Sequence, residues 1–297
     1  MSEITRTVPR TVAVELVAAF TKDGAGGNPA GVVVDAEAIT HDERQRIATA
    51  VGVSETAFVR RASDDVFEVE FYTPAAQVGD CGHATVATFS LLAQRGLLRS
   101  ADVTKRTIIG DRAIMVEGTR VFMEQPRPSI EPFPHAGELA SALGLAGDAN
   151  LAEPVLADNG MRFVLIETTR AALGGAVPDF AAIEALTTQA EAVGLYVYAL
   201  AGDGAPASDG AAAGDAAAFD ATARMFAPGF GIPEESATGM GAGLLGGYLA
   251  RAAERAEYRF LQGALMPVPS PSELIVRVEP RCIVVGGSAN VMRTLHV

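Results

Sequence analysis

Apolar residues alternate imperfectly over residues 11–20, which predicts a first strand. Gly24-Ala25-Gly26-Gly27-Asn28-Pro29 reads as a loop, and residues 30–34 as a second strand. Thr40-His41-Asp42-Glu43 fits a capping box, with Thr40 as N-cap and Glu43 at the third helical position. The helix it opens should run to about Val51, with Gly52 ending it. Residues 55–60 and 66–72 read as paired strands. The second alternates cleanly, with Val66, Glu68 and Glu70 on one face and Phe67, Val69 and Phe71 on the other. Thr73-Pro74 breaks it. After Cys81 the pattern is helical to about Arg95, where Gly96 closes it, and so little charge on this stretch predicts a buried helix. Strands follow at 104–109, 113–116 and 120–124.

Pro126-Arg127-Pro128 and Pro132-Phe133-Pro134 bracket a domain boundary, and the second half repeats the plan of the first. A short helix is expected at 137–143, strands at 161–167 and 195–200, and an Ala/Gly/Asp-rich surface loop at 201–218. Ala237-Thr238-Gly239-Met240-Gly241 opens a second nearly uncharged helix, residues 242–253, and strands at 274–278 and 283–285 finish the chain. Each half thus holds several strands and one apolar helix entered through a turn of small residues. A curved mixed sheet wrapped around one buried helix, twice, packs such elements economically. The fold class expected is therefore α+β, with two similar barrel-like domains. The first spans 1–126, with the terminal strand 288–297 as a candidate to complete it, and the second spans 127–287.

The length agrees: 297 residues at about 150 per domain suggests two. An apolar fraction of 49% with 20% charged residues suits a sizeable core. The formal charge of −13 argues against nucleic acid or an anionic membrane as partner. No basic-then-apolar leader and no long apolar run are present, so a cytoplasmic location is expected. Cys81 and Cys282 are far apart and read as reduced thiols. His41, His83, His135 and His296 are scattered, with no metal-ligand spacing, and no metal is expected.

Two fragments carry the candidate chemistry. Glu55 sits in the apolar run Ser54-Glu55-Thr56-Ala57-Phe58-Val59, and His83 opens the buried helix in Asp80-Cys81-Gly82-His83-Ala84-Thr85. Near Ala57 and Phe58 the charged form of Glu55 is disfavoured, which suits a group that takes and returns a proton. An imidazole in the first helical turn can bind or relay that proton. Gly82, Gly239 and Gly241 do not fit a phosphate loop. They can instead bare backbone N–H groups at two helix N-termini, which hold a carboxylate even in an acidic protein.

These motifs, in this order, resemble the phenazine-biosynthesis PhzF-like family of the diaminopimelate-epimerase superfamily. Gly27-Asn28-Pro29-Ala30-Gly31-Val32-Val33, Ser54 to Val59, Tyr72-Thr73-Pro74 and Cys81-Gly82-His83-Ala84-Thr85 are similar to family segments, as are Phe226-Ala227-Pro228, Gly231-Ile232, Ala237-Thr238-Gly239 and Gln262-Gly263. The resemblance implies a site between two domains, a homodimer, no cofactor, and proton relocation on a small unsaturated carboxylic acid. The best-understood case is a dihydro-hydroxyanthranilate; alkylproline-type intermediates of antibiotic biosynthesis are another niche. It assigns acid/base roles to Glu55 and His83 and adds Glu235, although Glu234 beside it leaves the register open by one residue. Asn28, Cys81, Gly82, Thr238, Gly239 and Met240 are the substrate-binding candidates.

Departures are as informative. The family's Asp-Pro before the Ala-Thr-Gly is Glu235-Ser236 here, the following Ser is Met240, a Glu ahead of the Cys is Gln77, and a Gly-Arg-Pro-Ser run becomes Met266-Pro267-Val268-Pro269-Ser270. A thioether cannot donate a hydrogen bond, so Met240 predicts the same reaction on a different substrate. Superfamily racemases use a cysteine at the start of each central helix. Cys81 holds the first place and Thr238 the second, which disfavours that chemistry. The remaining alternative is a catalytically degenerate, dimeric binding protein of the same fold.

Overall fold

The computed structural model of the chain describes residues 11–145, 151–202, 219–252 and 255–297. Strands β1 (Ala13–Thr21) and β2 (Asn28–Val34) lead into helix α1 (His41–Val51). Next come β3 (Thr56–Arg61), β4 (Val66–Tyr72), the two-residue β5 (Gln77–Val78) and α2 (Gly82–Gln94). A meander of β6 (Asp102–Thr107), β7 (Gly110–Glu117) and β8 (Arg120–Pro126) closes the first half. The second half begins with β9 (Ser129–Pro132), α3 (Ala136–Ala142), β10 (Val155–Asp158) and β11 (Arg162–Glu167). It continues through α4 (Arg170–Gly175), α5 (Phe180–Gln189), β12 (Gly194–Leu200), β13 (Ala221–Ala227) and β14 (Ile232–Glu235). It ends with α6 (Gly239–Leu249), β15 (Glu257–Gln262), β16 (Ser272–Val278) and the long β17 (Cys282–His296).

Local chemistry accounts for the elements that the sequence pattern placed well. Thr40 and Glu43 form both halves of the capping box, and Gly52 ends α1 in the left-handed region at φ 72, where only glycine sits without cost. In β4, Phe67, Val69 and Phe71 are buried while Val66, Glu68 and Glu70 are half-exposed, as the alternation requires. Helix α2 buries every residue from His83 to Leu92. Removing Phe89, Leu91 and Leu92 from water stabilises the fold by about 1.5–3 kcal/mol each.

Several elements differ from expectation. β2 begins at Asn28, because Asn28 and Pro29 pair with Ala19 and Ala18. β6 stops at Thr107, and Ile108 and Ile109 form the hairpin turn before Gly110, which has φ 119. α6 ends at Leu249, four residues short of the expected 253. Helices α4 and α5 and strands β9, β10, β14 and β15 carry too little periodicity to announce themselves. Most of the expected loop at 201–218 falls outside the described residues.

Strand pairings close a ring around α2. β1 pairs with β2, β2 with β3 in parallel, β3 with β4, β4 with β6 in parallel, and β6, β7 and β8 form a meander. β8 pairs with β17, which returns to β1. A second chain of pairings runs from β9 through β10, β11, β12, β13, β15 and β16 to β17, and α6 packs on β10, β11, β16 and β17. β17 therefore serves both arrays: Ile283 to Gly286 pair with β16, and Ser288 to His296 with β1. The buried apolar residues of α2 and α6 belong to one continuous cluster. Among the described residues, no helix is long and apolar enough to cross a membrane.

Candidate active site

Helices α2 and α6 touch, and their N-terminal turns, at Cys81 and Thr238, face the same cluster of side chains. His83, 5% exposed, lies between two carboxylates. Its Nε2 is 3.2 Å from Glu55 Oε2, and its Nδ1 is 3.6 Å from Glu235 Oε1. The Ser54 hydroxyl is also 3.2 Å from Nε2, and Cys81 Sγ is 3.5 Å from Nδ1. These groups come from three places in the chain: the turn before β3, the start of α2 and the end of β14. Glu55 itself lies one residue ahead of β3 and not inside the strand. Its carbonyl accepts a hydrogen bond from Gly31 N, which anchors it to β2.

The two carboxylates are held differently. Asn28 Nδ2 donates to Glu235 Oε1 at 2.9 Å, and Thr238 Oγ1 donates to Glu235 Oε2 at 2.5 Å. Gln262 Nε2 donates to the Glu235 carbonyl, and Thr238 N and Tyr196 Oη donate to Gln262 Oε1. Glu235 is thus fixed by a complete network. Burial pushes its carboxyl above the ordinary value of 4.5, against the opposing pull of His83, Thr238 and Asn28. Glu55 Oε2, in contrast, is buried beside His83 Nε2 and receives none of the hydrogen bonds of the kind that fix Glu235. Such a carboxylate oxygen is available to take a proton from a bound molecule. Burial, with Glu55 nearby, holds the Cys81 thiol well above its ordinary range, so it stays a thiol at neutral pH.

The structure settles the register of the acidic pair. Glu235 faces His83, while Glu234 makes a bidentate pair with Arg224 at 2.7 and 2.9 Å. Ser236 donates to the Gly27 carbonyl and so ties the turn before α6 to the loop before β2. Met240, in the first turn of α6, shares a cavity of about 140 Å³ with Cys81 and Gly82. Gln77 donates to Glu70 in a separate network with Tyr72 and His41. Cys282, at the start of β17, is the free thiol outside the cluster.

Sequence spacing suggested no metal ligands, but the fold brings one ligand atom each of Glu55, Cys81 and His83 within 4.8 Å of one another. That set could hold a divalent cation. Other participants also escaped the sequence pattern. Lys105, fully buried, pairs with Asp80 and donates to Thr85 Oγ1 at 3.1 Å, while Asp80 Oδ1 accepts from Cys81 N at 2.7 Å. This braces the entrance of α2. Its signal was present in β6, where Val103 and Lys105 share the inward face. Gln262 was visible only as part of the Gln262-Gly263 motif.

The chain is similar to known proteins over most of its length. Residues 17–294 match the family model described as phenazine biosynthesis-like protein. The chain is 35% identical to an uncharacterised isomerase of Deinococcus radiodurans, over 97% of this chain and 94% of that one. It is 29% identical to the trans-2,3-dihydro-3-hydroxyanthranilate isomerase of Pseudomonas aeruginosa, over 89% of each. A PhzF-family phenazine biosynthesis protein of Bacillus anthracis superposes with a TM-score of 0.83 at 25% identity, covering 97% of this chain and 99% of that one. A probable proline racemase of Agrobacterium radiobacter, at 11% identity and TM-score 0.59, shares the fold. The fold is therefore the α+β, barrel-like arrangement of these structures. The chain belongs to the phenazine biosynthesis-like (PhzF) protein family.

Proposed function

We propose that this protein is a cofactor-free isomerase that moves a proton, and with it a double bond, on a small unsaturated carboxylic acid. The observation that carries this reading is the buried Glu55–His83–Glu235 cluster, in which the Glu55 carboxylate is held by its contact with the imidazole, while Glu235 is also hydrogen-bonded by Asn28 and Thr238. Glu55 takes the proton from a substrate carbon. Glu235, whose carboxyl retains its proton to higher pH, and His83 between the two, return a proton at a second carbon. The backbone N–H groups at the starts of α2 and α6 hold the substrate carboxylate. Residues 1–126, completed by 288–297, and residues 127–287 act as the two domains that flank the site. A homodimer is part of the same reading.

Met240 supports a substrate different from dihydro-hydroxyanthranilate. Its thioether offers an apolar, adaptable wall, so a hydroxyl facing it would go unpaired at a cost of about 1–3 kcal/mol. A less hydroxylated cyclic amino acid, such as an unsaturated alkylproline, fits this wall better.

The test is solvent-deuterium incorporation, followed by mass spectrometry, into trans-2,3-dihydro-3-hydroxyanthranilate and unsaturated alkylproline acids. Incorporation into at least one is expected, and Glu55→Gln should lower its rate about 100-fold or more, the scale of a general base. An unchanged rate in Glu55→Gln would remove Glu55 from the reaction. Tight binding without incorporation into any acid would instead favour a binding protein that kept the fold.

A further inference from the structure

The cavity that borders Cys81 contains a cation and an orphaned acceptor that the proton-transfer cluster does not use. It is lined by Cys81, Arg112, Met123, Asn159 and Met240 among others, and by two acids that have partners of their own, Asp80 with Lys105 and Glu124 with Cys282. Cys81 also contacts His83, so this residue is a shared wall between the cavity and the cluster. Arg112 stands opposite Lys105 in the β6–β7 register and shares its face of β7 with the fully buried Ile114. Its side chain is therefore on the same face as Lys105 and Ile114, where it lines the cavity. Lys105 in the same register is neutralised by Asp80. The Arg112 guanidinium pairs with no carboxylate among the described residues, and its one hydrogen bond goes to the carbonyl of the adjacent Asp111. In a chain of net charge −13, a cation left unpaired beside a cavity is poised for an anion.

Asn159 supplies an independent observation. Gln125 Nε2 donates to the Gly239 carbonyl at 3.2 Å, which fixes the orientation of the Gln125 amide. Gln125 Oε1 then accepts from Asn159 Nδ2 at 3.2 Å. That assignment turns Asn159 Oδ1 the other way, and this oxygen is buried with no hydrogen-bond partner. A buried amide oxygen left unbonded costs free energy that a donor on a ligand would recover. The walls also include the apolar side chains of Met123 and Met240.

We infer that this cavity is a second recognition subsite that takes the far end of the substrate: a carboxylate on Arg112, beside an N–H or O–H group that donates to Asn159 Oδ1, joined to the reacting end by a short apolar stretch along Met123 and Met240. The substrate class is thus a less hydroxylated unsaturated amino acid that carries a second carboxylate, a narrower class than the single-carboxylate acids named above. A guanidinium binds a carboxylate through two parallel hydrogen bonds, which gives orientation as well as affinity. This inference deepens the isomerase reading above and rests on it for the identity of the occupant as substrate.

Calorimetric titration of the full chain with three simple acids tests it: crotonate with one carboxylate, glutarate with two, and L-glutamate with two plus an amine. Glutarate should bind about tenfold or more tighter than crotonate, the scale of one charge-assisted pair, and glutamate tighter again. Arg112→Gln should erase the advantage of glutarate, and Asn159→Leu only the further advantage of glutamate. Melting of each variant without ligand establishes that it is folded. Equal binding of the three acids, no binding of any, or an undiminished glutarate advantage in folded Arg112→Gln would overturn the subsite. Inorganic phosphate that displaces glutarate, and does so only with Arg112 present, would make the head group a phosphoryl group and overturn the carboxylate assignment. Glu55→Gln should keep the binding pattern. Absent deuterium exchange with that pattern intact would sink the isomerase reading alone, and exchange with flat binding would sink the subsite alone.

Discussion

At the scale of single residues, the fold treats the two carboxylates beside His83 unequally. Glu235 is enclosed, bonded by Asn28 and Thr238, and holds its proton to higher pH because burial disfavours the charged form. The sign of the resulting pH dependence is opposite to that of an ordinary salt-bridged acid. A carboxyl whose folded pKa lies above its unfolded value binds more protons folded than unfolded, so stability falls as pH rises through that window. Its contribution is complete below the ordinary value near 4.5 and is lost above the raised one. Glu235→Gln keeps the shape and removes the titration. The melting temperature of the wild type minus that of Glu235→Gln should therefore decline as pH rises above the ordinary carboxyl value of 4.5. A difference that grows with pH would mean that the ionised carboxylate is the better partner of His83. Cys81, kept as a thiol and faced by Thr238 at the other helix start, lacks the second thiol of a two-cysteine racemase.

At the scale of elements, the two buried helices are set by different means. The start of α2 is braced by the Asp80–Lys105 pair, in which burial lowers the lysine pKa and Asp80 opposes that. The apolar α6 instead gains its position through glycine. A side chain at Gly243 would overlap Gln125 Oε1 and crowd Val285. Gln125 is the residue that holds the Gly239 carbonyl and orients Asn159. Gly243→Ala should therefore destabilise the fold by about 1–3 kcal/mol, the usual cost of overpacking, despite alanine's better helix propensity. Urea unfolding measures this. A loss below about 0.5 kcal/mol, the range of ordinary surface substitutions, would mean that α6 shifts freely within its sheet.

At the scale of the whole molecule, β17 is the strand on which both sheets depend. Its first part lies between β8 and β16, and its second part closes the ring by pairing with β1. Deletion of residues 288–297 would leave β1 without this partner and expose an unpaired edge beside α2. The shortened chain should lose cooperative unfolding and aggregate, as read by near-UV circular dichroism and light scattering. A monodisperse product with a sharp transition close to that of the full chain would show that the first ring does not need its closing strand.

The sequence by itself determined the elements whose causes are local. The capping box at Thr40 and Glu43, the stop at Gly52, the alternation in β4 and the uncharged run of α2 each act within a few residues, and each was legible there. Ordered motifs also marked the family, and with it Glu55, His83 and Glu235. Tertiary structure decided what depends on distant partners. Only the approach of β14 to α2 separated Glu235 from Glu234, which Arg224 takes instead. Only the enclosure of β6 made Lys105 a buried brace. Short elements such as β9, β10 and α4 exist because packing stabilises them, since their own propensity is too weak. Likewise the ligand-ready groups of the cavity, Arg112 and the unbonded oxygen of Asn159, owe that character to the residues around them, because whether a polar atom is satisfied is a property of its surroundings.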